Sequence, residues 1–408
     1  MKILLIIIDG LGDKPIPQLG NKTPLEAAKT PNLDWLAKNG ICGQILPYLQ
    51  NKKLPTSEDT HLALFGYQPK IFNPGRGVLE VLGIRTKVLP GDVCLRGNFA
   101  TVDKNLKIID RRAGRIEKTA ELIRAISGIE IGGLQPSRHP SARGPLVKFL
   151  IGKAVSHRIG LVMRGRSLSP IISDNDPKIT QVRPVQIRAL DKSAKALFTA
   201  RILNQFLTRT HSILKNLPLN KKRKLPANYI LVRGAGKLKK NPSFRQKYKL
   251  SSCCIAGGTL YKGIGKFLGM REIKVKGANA LPTTNLPGKF QSAKRALKNY
   301  DFVFLHIKAA DNLAEDGKFL AKKEFIEKID KNLKPILNLK DTLITVTADH
   351  STCSLLKRHC LEPFPVLLYG RGIKPDRVTE FSERACKKGK LGKIKQIDLM
   401  PVILSLAY

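Results

Sequence analysis

Acidic residues are scarce in this chain of 408 residues. Asp and Glu total 31 against 73 Lys and Arg, so the formal net charge at pH 7 is +42. Such an excess suits a nucleic-acid binder or an enzyme for anionic substrates, and charge alone does not choose between them. The bases are spread along the whole chain, with no zinc-binding Cys/His spacing and no aromatic RNA-binding signature. The sequence therefore limits any nucleic-acid contact to a non-specific basic surface.

Long apolar runs are also lacking. No stretch approaches the roughly 18 apolar residues of a membrane-spanning helix, so no membrane association is expected. The opening run Ile3–Ile8 ends at Asp9-Gly10, too short for a signal peptide and without a small-residue cleavage site. The seven cysteines form no CxxC pair, and their odd number argues against a secreted disulfide framework. We expect a cytoplasmic protein.

The motifs of two large enzyme classes are absent. There is no GxxxxGK[ST] phosphate loop and no GxSxG nucleophile elbow. The stretch Gly263-Ile264-Gly265, with Gly269 later, does not fit GxGxxG. Kinase and α/β-hydrolase interpretations therefore lose support.

Short apolar runs rich in β-branched residues recur before glycine or polar turns and are typical of buried parallel strands. They are Ile3–Ile8, Tyr229–Val232, Phe302–Ile307, Leu343–Thr347 and Pro365–Tyr369. Helical spacing of apolar residues lies between several of them, as from Phe325 to Ile336. This alternation predicts an α/β fold with a mainly parallel sheet flanked by helices.

The composition of the sequence changes between residues 71 and 186, where Gly, Pro and Arg cluster and candidate strands such as Gly160–Met163 are shorter. We interpret this stretch as an inserted smaller α/β domain. Apolar residues from Leu190 to Ile213 fall at helical spacing, which predicts a helix over 187–216 returning to the main sheet. The predicted core domain therefore comprises 1–70 and 187–408.

Metal-binding side chains follow three of the predicted strands, and open α/β sheets place their sites at the carboxyl ends of strands. Asp9 follows the first strand, and Asp349-His350 follows Leu343–Thr347. Asp311 and Glu315 would share one face of a helical turn after Phe302–Ile307. These oxygen and imidazole groups suit Mn²⁺, Zn²⁺ or Mg²⁺. A structural carboxylate at Asp9 is an equally ordinary alternative.

His359 lies nine residues beyond His350 and would complete this ligand set. Its alternative is a surface histidine in the basic stretch Lys357-Arg358-His359.

Ser57 is the candidate nucleophile, in Thr56-Ser57-Glu58-Asp59-Thr60-His61. In isolation it is interpreted as a helix N-cap, because a serine before acidic residues satisfies free amide donors. The two interpretations are compatible, since a hydroxyl at a helix N-terminus beside a metal would be activated.

Four segments, in this order along the chain, resemble the alkaline phosphatase superfamily: Ile6–Gly12, Thr23–Asp34, Ser57-Glu58 and Thr347–Thr352. Five more are similar to the archaeal-type cofactor-independent phosphoglycerate mutase family: Gly75–Gly77, Arg96–Asp103, Asp110–Ile116, Ser173–Pro177 and Lys262–Gly265. The resemblance extends from residue 1 to about residue 405.

The resemblance implies a phosphatase-like core, an insert that closes over the substrate, and two divalent metal ions. It assigns one ion to Asp9, Ser57, Asp349 and His350, and the other to Asp311, residue 315 and His359. Ser57 would take the phosphate of 3-phosphoglycerate as phosphoserine and return it to the 2-hydroxyl, so that no bisphosphoglycerate is needed.

The resemblance also implies a set of substrate-binding residues, in which arginine suits carboxylate and phosphate. They are Arg76, Arg96, Asn98, Asp110, Arg111, Arg115, Arg158 and Lys262.

Two positions depart from the family pattern. Glu315 stands where a metal-binding His is expected, and Thr56 stands where archaeal-type enzymes usually carry Gly. Glu can ligate a hard cation, but a related phosphatase, a homoserine-kinase-like phosphotransferase and a basic binding protein with a degenerate site all stay open. The sequence does not indicate an oligomeric state.

Overall fold

The computed structural model describes residues 1–49, 54, 56–134 and 143–408. The chain forms two compact units. The first unit comprises Met1–Asn73 and Asn241–Tyr408, and the second comprises Pro74–Lys240.

The described residues form strands with these bounds: β1 Lys2–Ile8, β2 Ile41–Leu46, β3 Val93–Val102, β4 Ile108–Asp110, β5 Glu130–Leu134, β6 Arg143–Lys153, β7 Arg158–Arg164, β8 Tyr229–Lys237, β9 Ser252–Ile255, β10 Arg271–Glu272, β11 Phe302–Ile307, β12 Thr342–Thr347, β13 Ser351–Cys353, β14 Arg358–Cys360, β15 Phe364–Tyr369 and β16 Gly392–Lys395.

The α-helices of the same residues are α1 Pro24–Ala27, α2 Pro31–Lys38, α3 Ser57–Leu64, α4 Pro69–Phe72, α5 Arg76–Gly83, α6 Ala120–Ile126, α7 Ala194–Asn216, α8 Pro218–Lys221, α9 Phe244–Tyr248, α10 Thr259–Phe267, α11 Leu286–Ala296, α12 Ala309–Glu315, α13 Phe319–Lys331, α14 Lys334–Leu337, α15 Glu383–Cys386 and α16 Leu399–Ala407. Short 3₁₀ turns lie at Pro17–Leu19, Ala113–Arg115 and Gln396–Asp398.

The first unit is built on an eight-stranded sheet in the order β10-β9-β11-β1-β12-β15-β2-β16. Strand β1 lies between β11 and β12 and pairs in parallel with both. Residues Ile3–Ile8 are fully buried, as a strand covered by helices on both faces requires. The carboxyl ends of β1, β11 and β12 therefore lie at the same edge of the sheet.

The second unit is built on an antiparallel sheet in the order β4-β3-β7-β6-β5, and β8 also pairs with β3. All residues of β3 are buried. Helix α7 packs on this sheet, where the rings of Phe149 and Phe206 stack with centroids 3.9 Å apart. The core of this unit is thus separate from the parallel sheet of the first unit.

The expected fold class is confirmed, with two corrections of strand direction. Strand β15 runs antiparallel to β12 and β2, and β8 belongs to the antiparallel sheet of the second unit. Their apolar sequences give no direction, because a buried strand has the same composition in either orientation.

The expected return to the core at residue 187 differs from the structure. The predicted helix exists as Ala194–Asn216, although Leu190 lies outside it and is exposed. Both this helix and β8 belong to the second unit, because β8 pairs with β3. The units therefore divide after Asn73 and after Lys240, and the functions expected of them stay predictions.

Within the described ranges, no helix has both the length and the apolar character needed to cross a bilayer.

Candidate metal centre

The carboxyl edge of the parallel sheet gathers ionisable side chains that are withdrawn from solvent. Asp9 follows β1, Asp349 and His350 follow β12, and Asp311 lies in helix α12 just after β11. All four residues are fully buried. Unpaired buried charges are costly, so this cluster requires partners or a bound cation.

The first candidate ligand group is formed by Asp9, Asp349 and His350, whose donor atoms all lie within 4.8 Å of one another. His350 Nε2 is 3.1 Å from Asp349 Oδ2 and 3.7 Å from Asp9 Oδ1. His350 Nε2 and Asp349 Oδ2 therefore form an ion pair, although their geometry is not that of a hydrogen bond. The other oxygen of Asp349 accepts the backbone N–H groups of Gly10 and His350, at 3.1 and 3.0 Å.

Thr352 orients the His350 ring. Its hydroxyl donates to Asp311 Oδ1 at 2.6 Å and lies 3.1 Å from His350 Nδ1, which is then the donor of that second bond. Burial by itself lowers the pKa of His350, but the neighbouring carboxylates, Asp349 first, raise it to about 9. In the metal-free protein His350 is thus an imidazolium whose Nε2 proton a metal ion would displace.

The second candidate group contains Asp311, His350 and His359. His359 Nε2 lies 3.6 Å from Asp311 Oδ1 and 3.9 Å from Glu315 Oε1, and the rings of His350 and His359 stack at 3.7 Å. Glu315 lies at the rim, with its side chain 51% exposed. Burial and the charge of Asp311 raise the pKa of the Glu315 carboxyl.

Lys308 lies between these two groups. Its ammonium donates to Asp9 Oδ1 at 3.0 Å and to Asp311 Oδ2. Its burial opposes the charge, but Asp311 and Asp9 hold its pKa well above the ordinary value. The lysine therefore neutralises two carboxylates that the sequence assigned to different metal ions.

Two further buried histidines flank the first group. His306 Nε2 donates to Asp9 Oδ2 at 3.0 Å, and burial lowers its pKa to about 4, so the ring is neutral. His61 Nδ1 donates to the carbonyl of Ser57 at 2.8 Å and lies 3.4 Å from Asp349 Oδ2. One nitrogen of each ring is directed at an acceptor, and the other nitrogen makes no hydrogen bond. Asp9, His61 and His306 therefore form a third candidate ligand group, whose donor atoms all lie within 4.8 Å of one another.

The expectation that Ser57 caps its helix is wrong. The N-cap of α3 is Thr56, whose hydroxyl accepts the backbone N–H of Asp59 at 3.3 Å, and Ser57 is the first helical residue. Thr56 in place of Gly thus has a structural reason. The hydroxyl of the buried Ser57 is consequently not used as the cap.

The first unit satisfies the chemical requirements of a divalent-cation site. Four buried atoms of the candidate ligands make no hydrogen bond: His61 Nε2, His306 Nδ1, Asp349 Oδ2 and His350 Nε2. Each group combines hard carboxylate oxygen with imidazole nitrogen, a set that suits Mn²⁺, Zn²⁺ or Mg²⁺. His350 contributes to the first and second groups, whereas the sequence assigned it to one.

The second unit holds a cluster of cations. Arg96, on β3, is 8% exposed and lies 3.4 Å from Glu80, which Arg76 also approaches at 3.6 Å. Burial lowers the pKa of Arg96 to about 9. Glu80 acts in the opposite direction and raises this pKa, whereas the positive charges of Arg76, Arg158 and Arg233 lower it further. Arg76, Arg96, Arg158 and Arg233, which we call the arginine surface, thus bring four positive charges close to Glu80, and Arg233 also lies 3.8 Å from Asp176.

Asn98 and Arg158 belong to the same surface, because they are opposite each other in the β3–β7 register. Asn98 is buried. Arg115, in contrast, lies in a 3₁₀ turn, and its backbone carbonyl accepts a hydrogen bond from the hydroxyl of Ser156.

Arg111, Asp110 and Lys262, which are also predicted substrate-binding residues, have structural partners of their own. Arg111 makes a bidentate pair with Asp176, at 2.9 and 2.8 Å. Asp110 accepts the backbone N–H groups of the following turn, from Arg112 and Gly114. In the first unit, Lys262 Nζ lies 3.7 Å from Glu272. Substrate contacts at these three residues stay predictions.

Sequence reasoning missed His61, His306, Lys308, Thr352 and Arg233. Lys308 follows a strand end and could have been found by the same rule that found Asp9. His61 and His306 lie inside a helix and a strand, where a histidine has no sequence signal. Arg233 lies opposite Arg96 in the β3–β8 register, which only the pairing reveals.

A mainly parallel sheet with buried carboxylate–imidazole groups at its carboxyl edge is typical of a metalloenzyme. The model of the metalloenzyme superfamily matches residues 1–406 of the chain. A 2,3-bisphosphoglycerate-independent phosphoglycerate mutase of Methanocorpusculum labreanum is 41% identical over 410 residues, covering 99% of this chain and 97% of that protein. One from Archaeoglobus fulgidus is 41% identical over 420 residues, covering 100% and 98%.

Solved structures agree. The cofactor-independent phosphoglycerate mutase of Thermoplasma acidophilum is 35% identical with a TM-score of 0.69, covering 100% of both chains. A protein of Pyrococcus horikoshii is 30% identical with a TM-score of 0.82, covering 100% of this chain and 97% of that chain. The chain therefore belongs to the cofactor-independent phosphoglycerate mutase family of the metalloenzyme superfamily, and the expected resemblance is confirmed.

Proposed function

We propose that this chain interconverts 3-phosphoglycerate and 2-phosphoglycerate without bisphosphoglycerate, through a phosphoserine at Ser57. Its family membership supports the reaction. The observation that carries the assignment of the site is the convergence of Asp9, Asp349 and His350 close to the turn that contains Ser57, to which His61 links Asp349. The reaction is a step of glycolysis and gluconeogenesis, and we place it in the cytoplasm.

Ser57 is the nucleophile in this proposal. Its position at the start of α3 puts its hydroxyl near the free amides of the first turn, which favour an anion. His61 holds the Ser57 carbonyl at 2.8 Å and contacts Asp349, so the serine turn and a predicted ligand are fixed by one ring.

The first and second ligand groups would hold two divalent cations, Mn²⁺, Zn²⁺ or Mg²⁺. Asp9, Ser57, Asp349 and His350 would bind one, and Asp311, Glu315 and His359 would bind the other. When bound, such cations lower the pKa of a serine hydroxyl and offset the charge of a transferred phosphoryl group. Lys308, between Asp9 and Asp311, supplies a fixed positive charge to the same region.

The arginine surface of the second unit would bind the anionic substrate. Arg76, Arg96, Arg158 and Arg233 bring four positive charges together beside Glu80 and Asp176, and Asp176 is already shared with Arg111. Arginine pairs with carboxylate and phosphate through two parallel hydrogen bonds, and phosphoglycerate carries both groups.

Hydrolysis of the phosphoserine is a second candidate activity, favoured by one observation. Glu315 replaces the family histidine and is half-exposed beside His359. A carboxylate open to water at this point would let water compete with glycerate for the phosphate.

The proposal is tested by the substitution Ser57→Ala in a coupled assay that converts 3-phosphoglycerate with Mn²⁺ and no added bisphosphoglycerate. Turnover should be abolished, whereas the control Thr56→Ser, which keeps the capping hydroxyl, should retain it. Undiminished turnover by Ser57→Ala would rule out the covalent route. Release of inorganic phosphate in place of 2-phosphoglycerate by the unaltered protein would identify the hydrolytic alternative.

A further inference from the structure

His359 is carried by a short β-hairpin, formed by β13 (Ser351–Cys353) and β14 (Arg358–Cys360), which we call the ligand hairpin. Thr352 and His359 are opposite each other in its register. Thr352 orients His350 from one strand, and His359 approaches Asp311 from the other. The geometry of the second ligand group therefore depends on how firmly the two strands are joined.

Strand β13 is fixed to the core of the first unit. The backbone N–H of Thr352 donates to the carbonyl of Gly12 at 2.9 Å, and its carbonyl accepts the fully buried Lys322 ammonium at 3.1 Å. Ser354, just beyond the strand, donates to Asp13 from both its backbone and its hydroxyl, at 2.9 and 2.6 Å.

Strand β14 is joined to β13 in two ways. The first is the ladder of three residue pairs. The second is a disulfide between Cys353 and Cys360, whose Cα atoms are 5.9 Å apart. Cys360 directly follows His359, so this covalent bond ties the strand of the ligand to the fixed strand. The cysteine pattern did not predict it, because the spacing of seven residues matches no known motif.

The bond lies beneath an exposed turn. Cys353 and Cys360 are 1% and 6% exposed, whereas Leu355 and Leu356 of the connecting turn are 52% and 46% exposed. Two backbone hydrogen bonds close the turn, from Leu356 to Cys353 and from Lys357 to Ser354, and local opening of the turn breaks these two bonds. A dithiol can therefore reach the disulfide through opening of the hairpin turn, without unfolding of the sheet.

We propose that Cys353 and Cys360 form a thiol–disulfide couple that sets the metal affinity of the second ligand group through His359. In reduction by a dithiol, the S–S bond breaks and two thiols form, with two electrons and two protons taken from the reductant, which becomes a disulfide. Reduction removes the covalent tie and leaves the three-pair ladder and the stacking of His359 on His350, so His359 moves away from Asp311 more often than in the oxidised chain. The effect on turnover rests on the proposed mutase function, but the effect on metal binding does not.

The couple is tested by measuring Mn²⁺ binding to the metal-free full chain in its two redox states by titration calorimetry. The reduced state is made with dithiothreitol and desalted anaerobically, because the reductant itself binds metals. Thiol counts in denaturant verify the states: seven cysteines in the reduced chain and five in the oxidised chain, since the disulfide removes two. We expect the oxidised chain to bind Mn²⁺ roughly tenfold more tightly, the effect of losing a group that orients a ligand.

Two variants separate the couple from a general effect of reductant. Cys353→Ala/Cys360→Ala should bind Mn²⁺ like the reduced chain and should not respond to dithiol. The control Cys253→Ala removes a buried, unpaired cysteine of β9 and should respond like the unaltered chain. The comparison of redox states needs no substitution, so a variant that fails to fold does not prevent the test.

Equal Mn²⁺ affinities of the two redox states would overturn the couple, as would seven free thiols that persist after treatment with a disulfide oxidant. If affinity changes with redox state but neither state turns over phosphoglycerate, the couple stands and the proposed function fails. If affinity does not change while Ser57-dependent turnover is present, the function stands and the couple fails.

Discussion

Thr352 and His350 are joined by a hydrogen bond of 3.1 Å between the threonine hydroxyl and imidazole Nδ1. The same hydroxyl donates to Asp311 at 2.6 Å, so it accepts from His350. One side chain therefore turns His350 Nε2 toward Asp9 and Asp349 while also positioning a carboxylate of the second group. This link is the reason the two groups form one centre.

Loss of the Thr352 hydroxyl should weaken metal binding. Thr352→Val keeps the shape of the side chain but removes both hydrogen bonds, and outer-shell losses of this kind lower metal affinity about 10- to 100-fold. Titration calorimetry with Mn²⁺ measures the change, and Thr352→Ser, which keeps the hydroxyl, is the control. Equal affinities of the Val and Ser variants would contradict the role assigned to Thr352.

Removal of the Lys308 charge should destabilise the metal-free protein. Lys308→Met leaves Asp9 and Asp311 buried without their shared cation, which costs about 3 kcal/mol of unfolding free energy. Mn²⁺ should restore more stability to the variant than to the unaltered chain, because the cation then replaces the lysine. Denaturant unfolding with and without Mn²⁺ tests this, and the exposed Lys318→Met should change little.

Arg96 and Arg111 should differ in their effects. Arg96→Met removes a central cation of the arginine surface and should raise KM for 3-phosphoglycerate roughly tenfold or more. Arg111→Met instead leaves Asp176 unpaired, so the melting temperature should fall while KM changes less. Steady-state kinetics and thermal unfolding of both variants test this difference. Equal rises in KM would show that Arg111 also binds the substrate.

Glu383 should make stability depend on pH. Burial raises the pKa of its carboxyl from 4.5 to about 7, although the Thr23 hydroxyl, donating at 2.7 Å, lowers it. The native state therefore binds this proton more tightly than the unfolded state, and the protonated carboxyl makes its full contribution to stability below pH 4.5. This contribution is lost as the pH rises to 7, and stability no longer changes with this group above pH 7. The total loss is about 3 kcal/mol.

Glu383→Gln imitates the protonated carboxyl and should flatten this dependence between pH 5 and 7. Unfolding free energies of both proteins across that range provide the measurement. If the unfolding free energy of the variant changed with pH as steeply as that of the unaltered protein, another group would be responsible.

The clustering of three carboxylates could be predicted because each follows the end of a strand. Asp9, Asp311 and Asp349 come after the apolar runs that form β1, β11 and β12, and parallel neighbours place those ends at one edge. Metal binding by these residues stays a prediction. His61 and His306 could not be predicted, since their roles depend on which elements pack together.

The division of the chain was predictable at one end only. The change near residue 71 lies close to the boundary after Asn73, but the return at 187 missed the boundary after Lys240. The physical reason is the pairing of β8 with β3, a contact between distant segments that local composition does not reveal. For the same reason, local composition did not predict the direction of β15 or the disulfide between Cys353 and Cys360.

The central claim is the proposal that side chains at the carboxyl edge of the parallel sheet hold two divalent cations beside Ser57. Anomalous X-ray scattering from a crystal loaded with Mn²⁺ tests it most directly. We predict one peak among Asp9, Asp349 and His350 and a second among Asp311, Glu315 and His359. Peaks elsewhere, or none at these residues, would contradict the claim.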